Sequence, residues 1–170
     1  MTLPDAEQTL AALAERMRGA VAFDARLVGI YSGGAWLADR LAQAIPGDHP
    51  VGYIDVSFYR DDFDRTGLKP AVRRSELPFD VEGATIVLVD DVLYTGRSVR
   101  AAINELFDYG RPAAIELAVL VDRGGRELPI EATYAGARLV VARDTSIVLS
   151  LGADGRLALT AEKAAGAGGA

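Results

Sequence analysis

Segment 85–106, TIVLVDDVLYTGRSVRAAINEL, restricts the fold more than any other part of this 170-residue chain. A run of β-type, mostly apolar residues meets two adjacent carboxylates, Asp90 and Asp91. Thr95-Gly96-Arg97-Ser98 follows, and then Val99, Ala102, Ile103 and Leu106 repeat at helical spacing. The pattern predicts a strand over 85–89, a loop over 90–97 and a helix over 98–109, closed by Gly110 and Pro112. A strand that is apolar on both faces belongs inside a sheet covered by helices on both sides.

The flanking sequence repeats the alternation. Leu10, Leu13, Ala14, Met17 and Val21 mark an amphipathic first helix. RLVGIY (26–31) reads as a buried strand, SGG (32–34) as a tight loop and AWLADRLAQAI (35–45) as a helix stopped by Pro46-Gly47. VGYIDVSFY (51–59) is the next strand. A charged insert over 60–82, broken by Gly67, Pro70 and Pro78, suits a functional lid or a disordered segment. AAIELAVLV (113–121) is a long buried strand, and DRGGRELP (122–129) a loop. RLVVA (138–142) and TSIVLSL (145–151) read as strands, the latter paired through GADG (152–155) with RLALT (156–160). The expected fold is α/β, with a mainly parallel central sheet, helices on both faces and a small β-rich C-terminal part. One domain over 1–165 and a flexible tail over 166–170 account for the length.

Ligands bind such sheets beyond the carboxyl ends of the strands. That rule gathers 32–34, 90–98 and 122–125 on one rim. Thr95 to Ser98 at a helix start suit a phosphate, because the first turn carries unpaired N–H groups and partial positive charge. A capped helix with Ser98 as N-cap is the plain alternative. Asp90 and Asp91 both reach the rim only if the strand ends there, and buried carboxylates need partners. The vicinal hydroxyls of a ribose and a nearby Mg²⁺ would serve. Pairing with the helix dipole plus solvation is the competing reading. Together the two halves describe a ribose 5-phosphate. Neither a P-loop nor the dinucleotide fingerprint is present.

Composition removes other classes. The net charge of −6 argues against broad adhesion to nucleic acid or anionic membrane. With no cysteine there is neither disulfide nor Cys-based zinc site. No apolar run is long enough for a membrane span and the first residues lack a secretory pattern, so a cytoplasmic location is expected. The single histidine, His49, lies in the turn-rich IPGDHPVG and reads as an exposed loop residue.

IVLVDDVLYTGRS (86–98) closely resembles the phosphoribosyl-pyrophosphate (PRPP) motif of the type I phosphoribosyltransferases. Its adjacent-Asp form, with VLYTGRSVRAA, is similar to the PyrR family of pyrimidine operon regulators and uracil phosphoribosyltransferases. IDVSFYRDD (54–62) resembles that family's strand leading into a flexible catalytic loop, and LAVLVDRGGRELP (117–129) its base-recognition segment. The resemblance implies that uracil displaces pyrophosphate from PRPP to give UMP, with Mg²⁺ on the leaving group. It implies that Asp90 and Asp91 hold the ribose hydroxyls, and that Val92, Leu93, Tyr94, Thr95, Gly96, Arg97 and Ser98 belong to the PRPP/UMP site. Arg60, Arg73 and Arg74 would close over pyrophosphate, and Asp90, Asp91, Arg60 and Arg74 would be the catalytic residues. Val121, Asp122 and Arg123 would face the base, partly through backbone. An UMP- or PRPP-sensing module with little turnover, or a transferase for another base, are the alternatives.

Two departures stand out. The family's pyrophosphate loop reads Thr-Arg-Gly, whereas Ser32-Gly33-Gly34 stands here. Backbone N–H groups can still bind an anion, but one charge-assisted contact is gone, and lower PRPP affinity or turnover is expected. Family regulators also bind messenger RNA through a basic face. Ala11, Glu15 and Glu131 fall where basic residues would help, leaving Arg16, Arg18, Arg138 and Arg143 as a smaller patch. RNA is therefore the weaker partner. A homodimer or larger homo-oligomer is implied, with Trp36 and the apolar face of the first helix at the contact unless they face the core.

Overall fold

A computed structural model of the protein describes residues 1–57 and 75–164. Five parallel strands form the central sheet: β1 (Arg26–Ile30), β2 (Val51–Ile54), β3 (Thr85–Leu93), β4 (Ala114–Asp122) and β5 (Tyr134–Arg138), in the order β2-β1-β3-β4-β5. An antiparallel hairpin, β6 (Thr145–Leu151) with β7 (Leu157–Lys163), forms the C-terminal β-rich part. Among the described residues the helices are α1 (Ala6–Met17), α2 (Gly33–Ala44) and α3 (Arg97–Tyr109).

Strand periodicity divides the core. Leu27, Val87, Val89, Ala118 and Leu120 point to one face and pack with α1, α2 and the hairpin. Val28, Ile86, Leu88, Leu117 and Val119 point to the other, with Val99, Ala102 and Leu106 of α3. The parallel register aligns like with like, Leu27 beside Val87 and Val28 beside Leu88. Helices on both faces are thus a direct consequence of double-sided apolar strands. The apolar face of α1 packs into this core, and the half-buried Trp36 packs against it.

The chain leaves β1 toward β2 and returns to β3 on the opposite side, which opens a crevice at the carboxyl ends of β1 and β3. α2 lies tightly on this crossing. A Cβ on Gly29 would come within 2.6 Å of the Ala35 Cα, and one on Gly34 within 2.2 Å of the Val89 carbonyl oxygen.

Several boundaries differ from those read in the sequence. β3 runs past the carboxylates to Leu93, because Val92 and Leu93 keep pairing with Val121 and Asp122. Of residues 32–34 only Ser32 lies in the turn: α2 begins at Gly33, whose lack of a side chain lets the helix start abut β3. β2 stops at Ile54, where the Asp55 carboxylate accepts the Ser57 N–H at 2.9 Å and turns the chain. The edge strand lies at 134–138 and not at 138–142. Gly136 lets α1 approach, since a Cβ there would meet Thr9 Cγ2 at 2.8 Å, whereas Val140 is 99% exposed. His49 is buried, its ring nitrogens 2.8 Å from the Ala25 carbonyl and 3.0 Å from that of Pro46, so it ties two turns together. Among the described residues no helix is long and apolar enough to cross a membrane.

The hairpin is held at its far end by Glu7. Its carboxylate accepts the Leu157 N–H at 2.7 Å and both bonds from Arg40, at 2.9 and 3.0 Å. The backbone N–H first and the Arg40 guanidinium second lower the Glu7 pKa from its ordinary 4.5. A depressed carboxylate stabilises the fold above its unfolded pKa, and that stabilisation is lost as pH falls through the folded value. Glu7→Gln should therefore lower the thermal midpoint near pH 7, with the gap to wild type closing in acid, below the ordinary 4.5, as Glu7 itself becomes neutral. A gap that persists or widens in acid, measured by thermal melts across pH, would contradict this coupling.

Candidate active site

The end of β3 and the start of α3 build the site. Asp90 is 4% exposed and its carboxylate accepts the Asp91 N–H at 2.9 Å; Asp91, half-buried, accepts the Val92 N–H at 2.8 Å. Only one of the two carboxylates is therefore buried. Both approach the rim although the strand continues, because strict alternation slips here: Val89 and Val92, three residues apart, join the same core face. Asp91 also lies against the start of α2. A Cβ on Gly33 would stand 2.5 Å from its Oδ2.

Gly96 sits at φ +93° and serves as the N-cap of α3, so Ser98 is within the first turn and not the cap. The buried Thr95 hydroxyl accepts the Arg97 N–H at 3.2 Å. The N-terminus of α3 thus opens beside the carboxylates, the electrostatic setting for a phosphate. Arg97 pairs with Glu127 at 2.9 Å, an exposed contact worth little in water and readily exchanged for an anion.

A second layer supports this loop. Glu127 and Leu128 donate backbone N–H groups to the Thr95 carbonyl at 3.0 and 3.1 Å, and Arg123 N–H donates to that of Leu93 at 3.1 Å. Arg126 donates to the carbonyls of Tyr94 and Ile130 at 2.9 and 2.8 Å and places one nitrogen 2.8 Å from both Asp122 oxygens. Arg138 and the Gly124 N–H also reach the Asp122 carboxylate, at 2.9 and 3.0 Å. Gly125 is required beside Tyr94, since a Cβ there would lie 2.4 Å from the ring.

The resulting cleft has a volume of about 560 Å³, large enough for a nucleotide-sized ligand. It brings together Asp90 to Ser98, the whole predicted ribose and phosphate run, with Arg123. Gly33 lies against Asp91 and Gly34 against Val89 of β3, and Ser32 is the N-cap of α2. Val121 is wholly buried and Asp122 is occupied by its arginines, so both lie beneath the wall. Arg60, Arg73 and Arg74 fall outside the described residues. Sequence reasoning missed Glu127 and the opposite wall, where Arg143, Ser146, Ile147 and Val148 face the phosphate loop. Asp122 and Arg126, four apart, were a legible ion-pair signal; nothing in TSIVLSL marked its strand as a cleft wall.

Among the described residues no cluster of three or more His, Cys, Asp or Glu could hold a metal. The Asp90–Asp91 pair does fit Mg²⁺ arriving with a phosphorylated substrate, since that ion commonly takes one or two carboxylates plus substrate phosphates.

The family model for the phosphoribosyl transferase domain matches residues 4–148. A Bifunctional protein PyrR from Ralstonia nicotianae is 52% identical over 159 residues, covering 92% of this chain and 91% of that protein. Another, from Pseudomonas paraeruginosa, is 48% identical over 153 residues, covering 88% and 90%. Among solved structures, a hypoxanthine-guanine phosphoribosyltransferase from Bacillus anthracis superposes with a TM-score of 0.64 at 20% identity, over 82% of this chain and 84% of that one. A purine phosphoribosyltransferase from Pyrococcus horikoshii gives 0.59 at 28% identity, over 81% and 85%. With its five-stranded parallel sheet, its carboxylate pair at the end of β3 and these near-full-length matches, the chain belongs to the PyrR family of phosphoribosyl transferase domain proteins.

Proposed function

We propose that this protein is a uracil phosphoribosyltransferase, acting as one domain over 1–165, that joins uracil to the ribose of PRPP. N1 of uracil forms a bond to ribose C1, the bond from C1 to pyrophosphate breaks, and the N1 proton leaves to solvent or a nearby base. The observation that carries the reading is the single run, Asp90 to Ser98, in which two carboxylates lead directly into a helix N-terminus on one cleft wall. Thr95 to Ser98 receive the 5′-phosphate. Asp90 and Asp91 orient the ribose hydroxyls and face the positive charge that grows on the ring as the leaving group departs. Mg²⁺ bound with PRPP supplies neutralisation of the pyrophosphate charge. Arg60 and Arg74 belong to the same reading as closing groups. The resemblance of LAVLVDRGGRELP (117–129) to the family's base-recognition segment supports a uracil substrate over a purine. Incubation with PRPP, Mg²⁺ and a panel of bases should give UMP from uracil in excess over any other product. No nucleotide with any base would overturn the enzyme.

Messenger RNA is the weaker partner in this reading, because Ala11, Glu15 and Glu131 fall where basic residues would help. Arg16 donates to the Ala135 carbonyl, Arg18 pairs with Glu15 at 3.2 Å, and Arg138 is held on Asp122. All four arginines are exposed, and Arg143 also lines the cleft. A cytoplasmic, homo-oligomeric enzyme completes the proposal.

A further inference from the structure

The wall opposite the phosphate loop is the hairpin strand β6, and one side chain joins the two walls. Arg123 is 4% exposed. Its guanidinium carbon lies 3.8 Å above the centre of the Tyr94 ring, at the tip of the phosphate loop. One terminal nitrogen donates to the Thr145 carbonyl, where β6 begins, and the other to the Ala142 carbonyl at 2.9 Å. Its Nε is buried with no hydrogen-bond acceptor. A guanidinium so engaged has its terminal nitrogens on the protein's own backbone and its face on an aromatic ring. Its terminal nitrogens are thus held by the protein's own backbone, although the residue itself lines the cleft.

The hairpin's other anchor, Glu7 with Arg40, meets Leu157 and Gly155, at the start of β7 and in the turn before it. The β6 residues on the cleft, Ser146, Ile147 and Val148, follow directly after Thr145. Their distance from the phosphate loop is therefore set near Arg123.

We propose that Arg123 is a positioning residue: a latch that fixes β6 against Tyr94 and so sets the width of the base end of the cleft. This rests on the uracil reading for the identity of the ligand, but the latch itself is a property of the fold. A planar base bound between the walls gains from their fixed spacing, while a ribose 5-phosphate held at Thr95 to Ser98 does not. Arg123 thereby selects for the base through the position it gives β6.

The test compares wild type with Arg123→Met, which keeps the stem, and Arg123→Lys, which keeps the charge but cannot span two carbonyls. Amide hydrogen exchange over 142–148 reads the latch without any ligand. Titration calorimetry with UMP and with ribose 5-phosphate reads its consequence. In Arg123→Met, exchange over 142–148 should rise about tenfold, UMP affinity should fall about tenfold and ribose 5-phosphate affinity should stay within about threefold. Arg123→Lys should recover part of both changes. Unchanged exchange over 142–148 in folded Arg123→Met overturns the latch. So does a parallel loss of both ligands, which would place the effect in the phosphate loop. If wild type binds ribose 5-phosphate no less tightly than UMP, while exchange still rises in the variant, the latch stands and the uracil reading falls.

Discussion

Asp91→Asn is expected to lower the turnover of UMP synthesis about 10²- to 10³-fold while leaving the fold intact. The substitution is nearly isosteric, and the Asn amide oxygen can keep the Val92 N–H bond of 2.8 Å that now orients the carboxylate. What disappears is one negative charge on the cleft wall. In the proposed reaction positive charge develops on the ribose only as the C1 bond to pyrophosphate breaks. An electrostatic contact of that kind acts on the transition state far more than on bound product. UMP affinity should therefore change less than about tenfold, and the thermal midpoint by no more than about 2 °C. Steady-state kinetics beside UMP titration distinguishes the two roles. Equal losses in turnover and in UMP affinity would make Asp91 a ribose-binding group alone.

The neighbouring glycine sharpens this expectation. In a family whose loop reads Thr-Arg-Gly, Gly33 looks like a lost arginine. In the folded chain its missing Cβ is space occupied by Asp91, whose Oδ2 and Cβ would lie 2.5 and 2.9 Å from a new Cβ. Gly33→Arg cannot simply restore a contact, because Asp91 must first shift. The departure in sequence and the position of the carboxylate are one packing solution.

The sheet was legible because its strands are apolar on both faces, a pattern only helix-covered parallel strands satisfy. The ribose and phosphate run was legible because carboxylates, hydroxyl residues and a glycine followed one another within a single strand-to-helix turn. Features that depend on another segment were not. RLVVA has the stronger β propensity, yet TYAGAR takes the edge, because Gly136 admits α1 and propensity carries no knowledge of that neighbour. His49 sits in a turn-rich stretch, yet its ring is buried between two carbonyls supplied by Ala25 and Pro46. Arg123 reads as a base contact from its place in the DRGGRELP loop. Its actual partners, Ala142 and Thr145, are about 20 residues further on.

The Asp122–Arg126 pair gives the second large effect. Asp122 has a side chain only 5% exposed and accepts from Arg126, Arg138 and the Gly124 N–H. Its removal strands the Arg126 guanidinium, itself 23% exposed, under the phosphate loop. Breaking one side of a buried pair typically costs about 3–5 kcal/mol, because the remaining charge has lost its counter-charge. For a chain of this length, Asp122→Ala should lower the thermal midpoint by roughly 10 °C. Arg138 is 57% exposed and can return to water, so its share of the loss is small. The double replacement Asp122→Leu with Arg126→Met removes the stranded charge and should recover a large part of the stability. It should not recover ligand binding in full. Arg126 also holds the Tyr94 carbonyl at 2.9 Å, so ribose 5-phosphate affinity should remain about tenfold below wild type even when the fold is restored. Calorimetric melts and titrations on the three proteins separate these terms. A single Asp122→Ala cost below about 1 kcal/mol would mean that the carboxylate only decorates the loop. Full recovery of ligand affinity in the double variant would mean that the phosphate loop holds its shape without Arg126.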